Sequence, residues 1–100
     1  MIMSVTREEQ VRIEREKAWV GDAVLALYAR QFVLRERGCM DAVWFTALTS
    51  NGFLSAFGNP TSVEARIGGI YNEQGLDAAF AWMDETLIPV YRKQMRNKKA

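Results

Sequence analysis

Two carboxylates stand in apolar surroundings. Asp22 lies within Ala18-Trp19-Val20-Gly21-Asp22-Ala23-Val24-Leu25, and Glu64 within Thr61-Ser62-Val63-Glu64-Ala65-Arg66-Ile67-Gly68-Gly69-Ile70-Tyr71. Nearly all other positions from Ala18 to Ala29 are apolar, so the segment is expected to be buried. A bare carboxylate there is costly unless it is paired, hydrogen-bonded or bound to a cation. Two acids from two separate apolar helices could share one cation. Spacing alone leaves the alternative open, that each acid caps or salt-bridges locally, Glu64 near a helix start. The chain has no histidine, which excludes Ser-His and Cys-His nucleophile pairs and His-ligated metal sites. Catalysis would therefore rest mainly on carboxylates with a hard cation, and Mg²⁺ needs only one or two of them beside waters and substrate phosphates.

The elements that must position these acids read as helices. Ser4 or Thr6 can cap a first helix, with Glu8 and Glu9 in its first turn. From Arg7 to Arg37 there is no proline and only Gly21. Val11, Ala18, Val20, Ala23, Val24, Leu27 and Leu34 recur mostly at three- and four-residue steps. This predicts one long helix or two abutting ones, with a break near Lys17, a solvated first half and a second half buried on most sides. Arg35-Glu36-Arg37-Gly38 is a typical ending. Asp41 can cap a second helix over 42–57, weakened at Ser50-Asn51-Gly52. Gly58-Asn59-Pro60 breaks the chain, and Thr61 or Ser62 caps a third helix to about Asn72. Gly68-Gly69 inside it implies close approach of another helix backbone. A last helix is expected from Leu76 to about Met95, kinked near Glu85 by Pro89. No segment alternates with period two. The expectation is an all-α domain of four to five helices over 1–95, with a basic, disordered tail over 96–100.

At 100 residues with 49% hydrophobic composition the chain makes one domain with a small core, and an oligomer would help cover its surface. Net charge is +1, but Arg92, Lys93, Arg96, Lys98 and Lys99 gather at the end with no acid among the last nine residues. The single cysteine, Cys39, permits no intrachain disulfide and reads as a buried, inert thiol. No apolar run approaches the roughly 20 residues that span a membrane. The start, Met1-Ile2-Met3-Ser4, is soon followed by charges and does not read as a signal peptide, so a cytoplasmic location is the default expectation.

Four stretches together resemble the ribonuclease III domain family. Ala18 to Leu25 is similar to its signature helix, E-F-L-G-D-A-V-L, and Thr61 to Tyr71 to its second motif, D-x-x-E-A-L-I-G-A-I-Y. Leu48-Thr49-Ser50-Asn51-Gly52-Phe53-Leu54 resembles L-V-S-N-x-x-L, and Gly75-Leu76-Asp77-Ala78-Ala79 resembles the G-L-E-A-A that opens the family's last helix. The matches occur in the family's order and cover about Lys17 to Leu87. The family's site has four acids, two per motif. Here Ala18 and Thr61 stand at the other two positions, a pattern similar to the Mini-ribonuclease III branch, which lacks a double-stranded-RNA-binding domain. Two further departures are Thr46, where the family often has arginine, and the few residues around Gly58-Asn59-Pro60, where it usually has some tens of residues with an RNA-contacting loop.

The resemblance implies a homodimeric helical endonuclease whose subunits each contribute one acidic site to a valley holding double-stranded RNA. Asp22 and Glu64 would be the catalytic, metal-associated carboxylates, with Mg²⁺ or Mn²⁺ as cofactor. Trp19 matches the aromatic that packs across the family's dimer interface, the alternative being intrachain core. A duplex is recognised by backbone shape and 2′-hydroxyls, which calls for cations. Arg92, Lys93, Arg96, Lys98 and Lys99 are the visible supply, with Arg66, Arg15 and Lys17 nearer the motifs; the alternative for the tail is a solubilising end. The functional expectation is a metal-dependent endoribonuclease acting on double-stranded RNA, in structural RNA processing. The alternative is a ribonuclease III-fold protein that binds RNA without cutting.

Overall fold

Thr6 starts the longest element. Its hydroxyl accepts from the backbone N–H of Glu9 at 3.1 Å, and Glu8 and Glu9 follow in the first turn. The helix α1, Arg7–Arg37, then runs unbroken for 31 residues, with no interruption near Lys17. Gly38 ends it in the left-handed region at φ 73°, its N–H donating to the Leu34 carbonyl at 2.9 Å. A computed structural model describes residues 6–99, and Ser4 as a cap lies outside them.

The chain continues through α2 (Ala42–Thr49), α3 (Asn51–Leu54), a 3₁₀ turn (Ser55–Phe57), α4 (Pro60–Gln74) and α5 (Leu76–Lys99). The described residues are all-helical, without a strand. Asp41 caps α2 as expected, accepting from Trp44 N–H at 3.1 Å. The single helix expected over 42–57 is instead divided at Ser50. That residue is extended (φ −70°, ψ 151°), and its hydroxyl accepts from Phe53 N–H to begin α3. The cap of α4 is Asn59, neither Thr61 nor Ser62. Its side-chain oxygen accepts from both their N–H groups, and Pro60 occupies the first turn, where no N–H is needed. In α5 the helix is continuous through Pro89 and runs on to Lys99, so the disordered tail expected from Arg96 is replaced by helix as far as Lys99. Ala100 lies outside the described residues.

Burial along α1 is confined to one face. Gly21, Val24, Leu25, Tyr28, Ala29, Phe32 and Val33 point inward at helical spacing. Val11, Trp19, Ala23, Leu27 and Leu34 are exposed, so the expectation of a second half buried on most sides is corrected. The core joins that inward face to Leu48, Phe53, Leu54, Val63, Ile67, Ala79, Met83, Leu87, Ile88 and Tyr91. Helices α1 and α5 lie side by side in the same direction. Tyr28 donates to the Asp84 carboxylate, and Arg92 pairs with Glu36, both partners having advanced eight residues. Tyr91 gathers the edges of Phe32, Trp44 and Phe53 at ring-centroid distances of 5.7 to 5.9 Å. The molecule measures 56 × 25 × 21 Å, its length set by α1, whose stretch from Arg7 to Lys17 stays exposed. Cys39 is exposed just beyond α1, which corrects its expected burial.

Candidate active site

Helices α1 and α4 cross at glycine on glycine. A Cβ on Gly21 would lie 1.7 Å from the Glu64 carbonyl oxygen, and one on Gly68 would lie 1.9 Å from the Lys17 carbonyl oxygen. No side chain fits at either position, so the two backbones touch. Only Gly68 of the pair 68–69 serves the contact. The space beside Gly69 is open, with the Lys17 side chain 4.0 Å away. The role of Gly21 was legible only as the one glycine in a long helical pattern.

This crossing sets the two acids together. Asp22 follows Gly21 directly, and Glu64 supplies the carbonyl that packs on it. Burial raises the Glu64 carboxyl, and so do its hydrogen bond to Asp22 and the Asp22 charge, taking it from 4.5 to about 7. A cation drawn between these oxygens would displace that proton. The burial expected of Asp22 does not hold. It is exposed and Glu64 half-buried, because the apolar neighbours Trp19, Ala23 and Leu27 also face outward. A local salt bridge for Glu64 is absent among the described residues, whose ion pairs are Arg37–Asp41 and Arg92–Glu36.

The donor set suits a hydrated hard cation. Two carboxylates would supply oxygen ligands to such an ion, and water would complete its shell. Among the described residues no group of three or more His, Cys, Asp or Glu side chains converges on one point. The residues at the two positions where ribonuclease III domains carry acids, Ala18 and Thr61, are respectively buried and exposed.

The expected RNA contacts divide. Arg92 pairs with Glu36, about 14 residues beyond Asp22 and hence about 21 Å along α1. Lys93, Arg96 and Lys98 follow on the exposed end of α5, away from the carboxylates. The Lys99 side chain lies outside the described residues. Nearer the acids are Lys17, beside Gly69, and Arg66, whose guanidinium lies over the Trp82 ring at 5.6 Å. Arg15 sits instead on the outward face of α1 with Val11 and Trp19. Trp19 is 81% exposed, so it is no part of an intrachain core. No helix among the described residues is long and apolar enough to cross a membrane.

No protein-family model, curated protein or solved structure matches this chain.

Proposed function

We propose that this chain is a metal-dependent endoribonuclease of ribonuclease III type, similar to the Mini-ribonuclease III branch, that hydrolyses phosphodiester bonds in double-stranded RNA. The observation that carries the reading is the glycine crossing of α1 and α4, which sets Asp22 against Glu64. The four ordered motif resemblances supply the reaction class. Asp22 and Glu64 would hold Mg²⁺ or Mn²⁺, partly through water. When bound, such an ion polarises the scissile phosphate and lowers the pKa of a bound water. The exposure of Asp22 suits a phosphodiester approaching on a wide duplex surface. The outward apolar residues Trp19, Ala23 and Leu27 suit a homodimer, in which two such sites would flank one RNA. The proposed setting is structural RNA processing in the cytoplasm.

A second reading, RNA binding without cleavage, is favoured by one observation. Only Gly58 and Asn59 separate the 3₁₀ turn from α4, where the family usually carries an RNA-contacting loop. One experiment separates the two. A long RNA duplex is incubated with the protein and either Mg²⁺ or EDTA, beside Asp22→Asn and Glu64→Gln. The nuclease reading expects Mg²⁺-dependent cutting that falls more than about 100-fold in each variant, since changes outside the ligand shell alone cost 10–100-fold. Salt-sensitive duplex binding without cutting would establish the second reading, and undiminished cutting in both variants would refute the site.

A further inference from the structure

A polar cleft lies between the 3₁₀ turn, α4 and α5. It encloses about 490 Å³ between Phe57, Gly58, Ser62, Val63, Arg66, Trp82 and Thr86. Arg66 is its central group. Ribonuclease III motifs carry an apolar residue at this position, so the family site does not require this arginine. It is exposed, and its guanidinium is held over the Trp82 indole, 5.6 Å from the ring centroid. Among the described residues it makes no ion pair and no hydrogen bond to a carbonyl. By contrast Arg37 and Arg92 are engaged by carboxylates. A guanidinium held 5.6 Å over an indole and engaged by no carboxylate among the described residues keeps its N–H edges available to an anion.

The surroundings suit an anion joined to a ring. Thr86 supplies a hydroxyl on the α5 wall, the Ser62 hydroxyl on the α4 wall is donated to Glu14, and Phe57 supplies a second aromatic, its ring edge-on to Phe53 at 5.3 Å. On the α1 side Glu14 accepts from the Ser62 hydroxyl at 3.3 Å, and Lys17 shares that surface with it. Asp84 on α5 is taken by Tyr28. Unpaired bases of RNA stack on aromatic rings or on arginine planes, while phosphates take guanidinium and hydroxyl donors.

We propose that this cleft binds one unpaired nucleotide of RNA, its base against Phe57 and the Arg66 guanidinium, its phosphate on the Arg66 edge with Thr86. The proposal deepens the RNA-directed reading and rests on it, adding a contact for single-stranded RNA beside the duplex. Ser62, Val63 and Arg66 lie within two residues of Glu64 along α4, so the cleft borders the helix that carries half of the acid pair.

The test is binding of a short fluorescent single-stranded RNA in EDTA, followed by anisotropy at two salt concentrations. Arg66→Ala, at an exposed position, should weaken binding about tenfold or more, and the salt dependence should fall by about one ion. Arg66→Lys keeps the charge but not the plane, and should recover only part of the loss. Arg66→Ala should weaken strand binding equally in the Glu64→Gln background, which separates this cleft from the acid pair. Arg66-dependent strand binding with no duplex cutting would uphold the cleft and sink the nuclease reading. Equal binding by Arg66→Ala would overturn the proposal, as would capture of an acidic peptide in place of the RNA strand through Arg66.

Discussion

At the scale of single residues, the Glu64 carboxyl carries the most information. It is pushed up to about 7 by burial, by its hydrogen bond to Asp22 and by the Asp22 charge. The folded chain therefore holds this proton more tightly than the unfolded chain, where the group titrates near 4.5. The stability this gives is complete below pH 4.5 and is lost as pH rises through about 7. Urea unfolding in EDTA from pH 4 to 8 should show the loss as a difference between the unaltered protein and Glu64→Gln, whose neutral amide does not titrate. A difference that stays flat across that range would show that the two acids do not interact. If a cation replaces the proton, Mg²⁺ should raise the melting temperature more at pH 8 than at pH 5. A second residue makes an independent case. The Tyr91 hydroxyl is buried without a hydrogen-bond partner, and burial raises its pKa. An unsatisfied buried hydroxyl costs about 1–3 kcal/mol, so Tyr91→Phe should keep the aromatic cluster and gain up to about 1 kcal/mol. That gain would appear as a rise of about 4–8 °C in the thermal midpoint.

Between elements, the crossing of α1 and α4 is the joint on which the site depends. Gly21 and Gly68 meet opposing backbone, so alanine at either position forces the helices apart. Each substitution should cost more than about 2 kcal/mol, as overpacking against backbone does, and should separate Asp22 from Glu64. Gly69→Ala meets open space and should stabilise by about 0.5–1 kcal/mol through helix propensity. Thermal unfolding of the three variants checks the contrast, and similar losses at 68 and 69 would contradict the assigned contact. The sequence already carried part of this joint. Adjacent glycines in a helical pattern announced a close approach, but not which glycine made it, because only the crossing angle decides that. Asp41 as a cap and Gly38 as a terminator were readable from local chemistry. The division at Ser50 was not, since its hydroxyl competes for Phe53 N–H only once the chain has turned there. The exposure of Asp22 was also hidden. An apolar run around a helix shows period and not direction, and the outward half of this one lacks a partner within the chain. The Arg66–Trp82 pair was equally invisible, joining residues 16 positions apart on α4 and α5.

For the whole molecule, that outward half poses the remaining physical question. A chain of 100 residues packs to a radius of gyration of about 13 Å when it forms a rounded domain. This one has 15.1 Å, with no buried residue in the first third of α1. Along that helix Val11, Trp19, Ala23, Leu27 and Leu34 face solvent, with Arg12, Arg15, Glu8 and Glu16 around the first two. Acids and bases side by side on one face can meet their opposites on a second copy turned end to end, as an isologous contact requires. Burying a tryptophan with aliphatic neighbours at the centre of such a contact is the usual source of its strength. Trp19→Glu, at a position that contributes nothing to the core of the single chain, should leave the helical content and melting of the monomer intact. It should convert a dimer to a monomer in sedimentation at micromolar concentration. Because Trp19 lies less than one turn from Asp22, the two copies would bring both acid pairs to one continuous surface. The same variant should then cut a long duplex at least about tenfold more slowly while an isolated acid pair still binds Mg²⁺. A monomer in the unaltered protein would remove the shared surface and leave each acid pair to act alone.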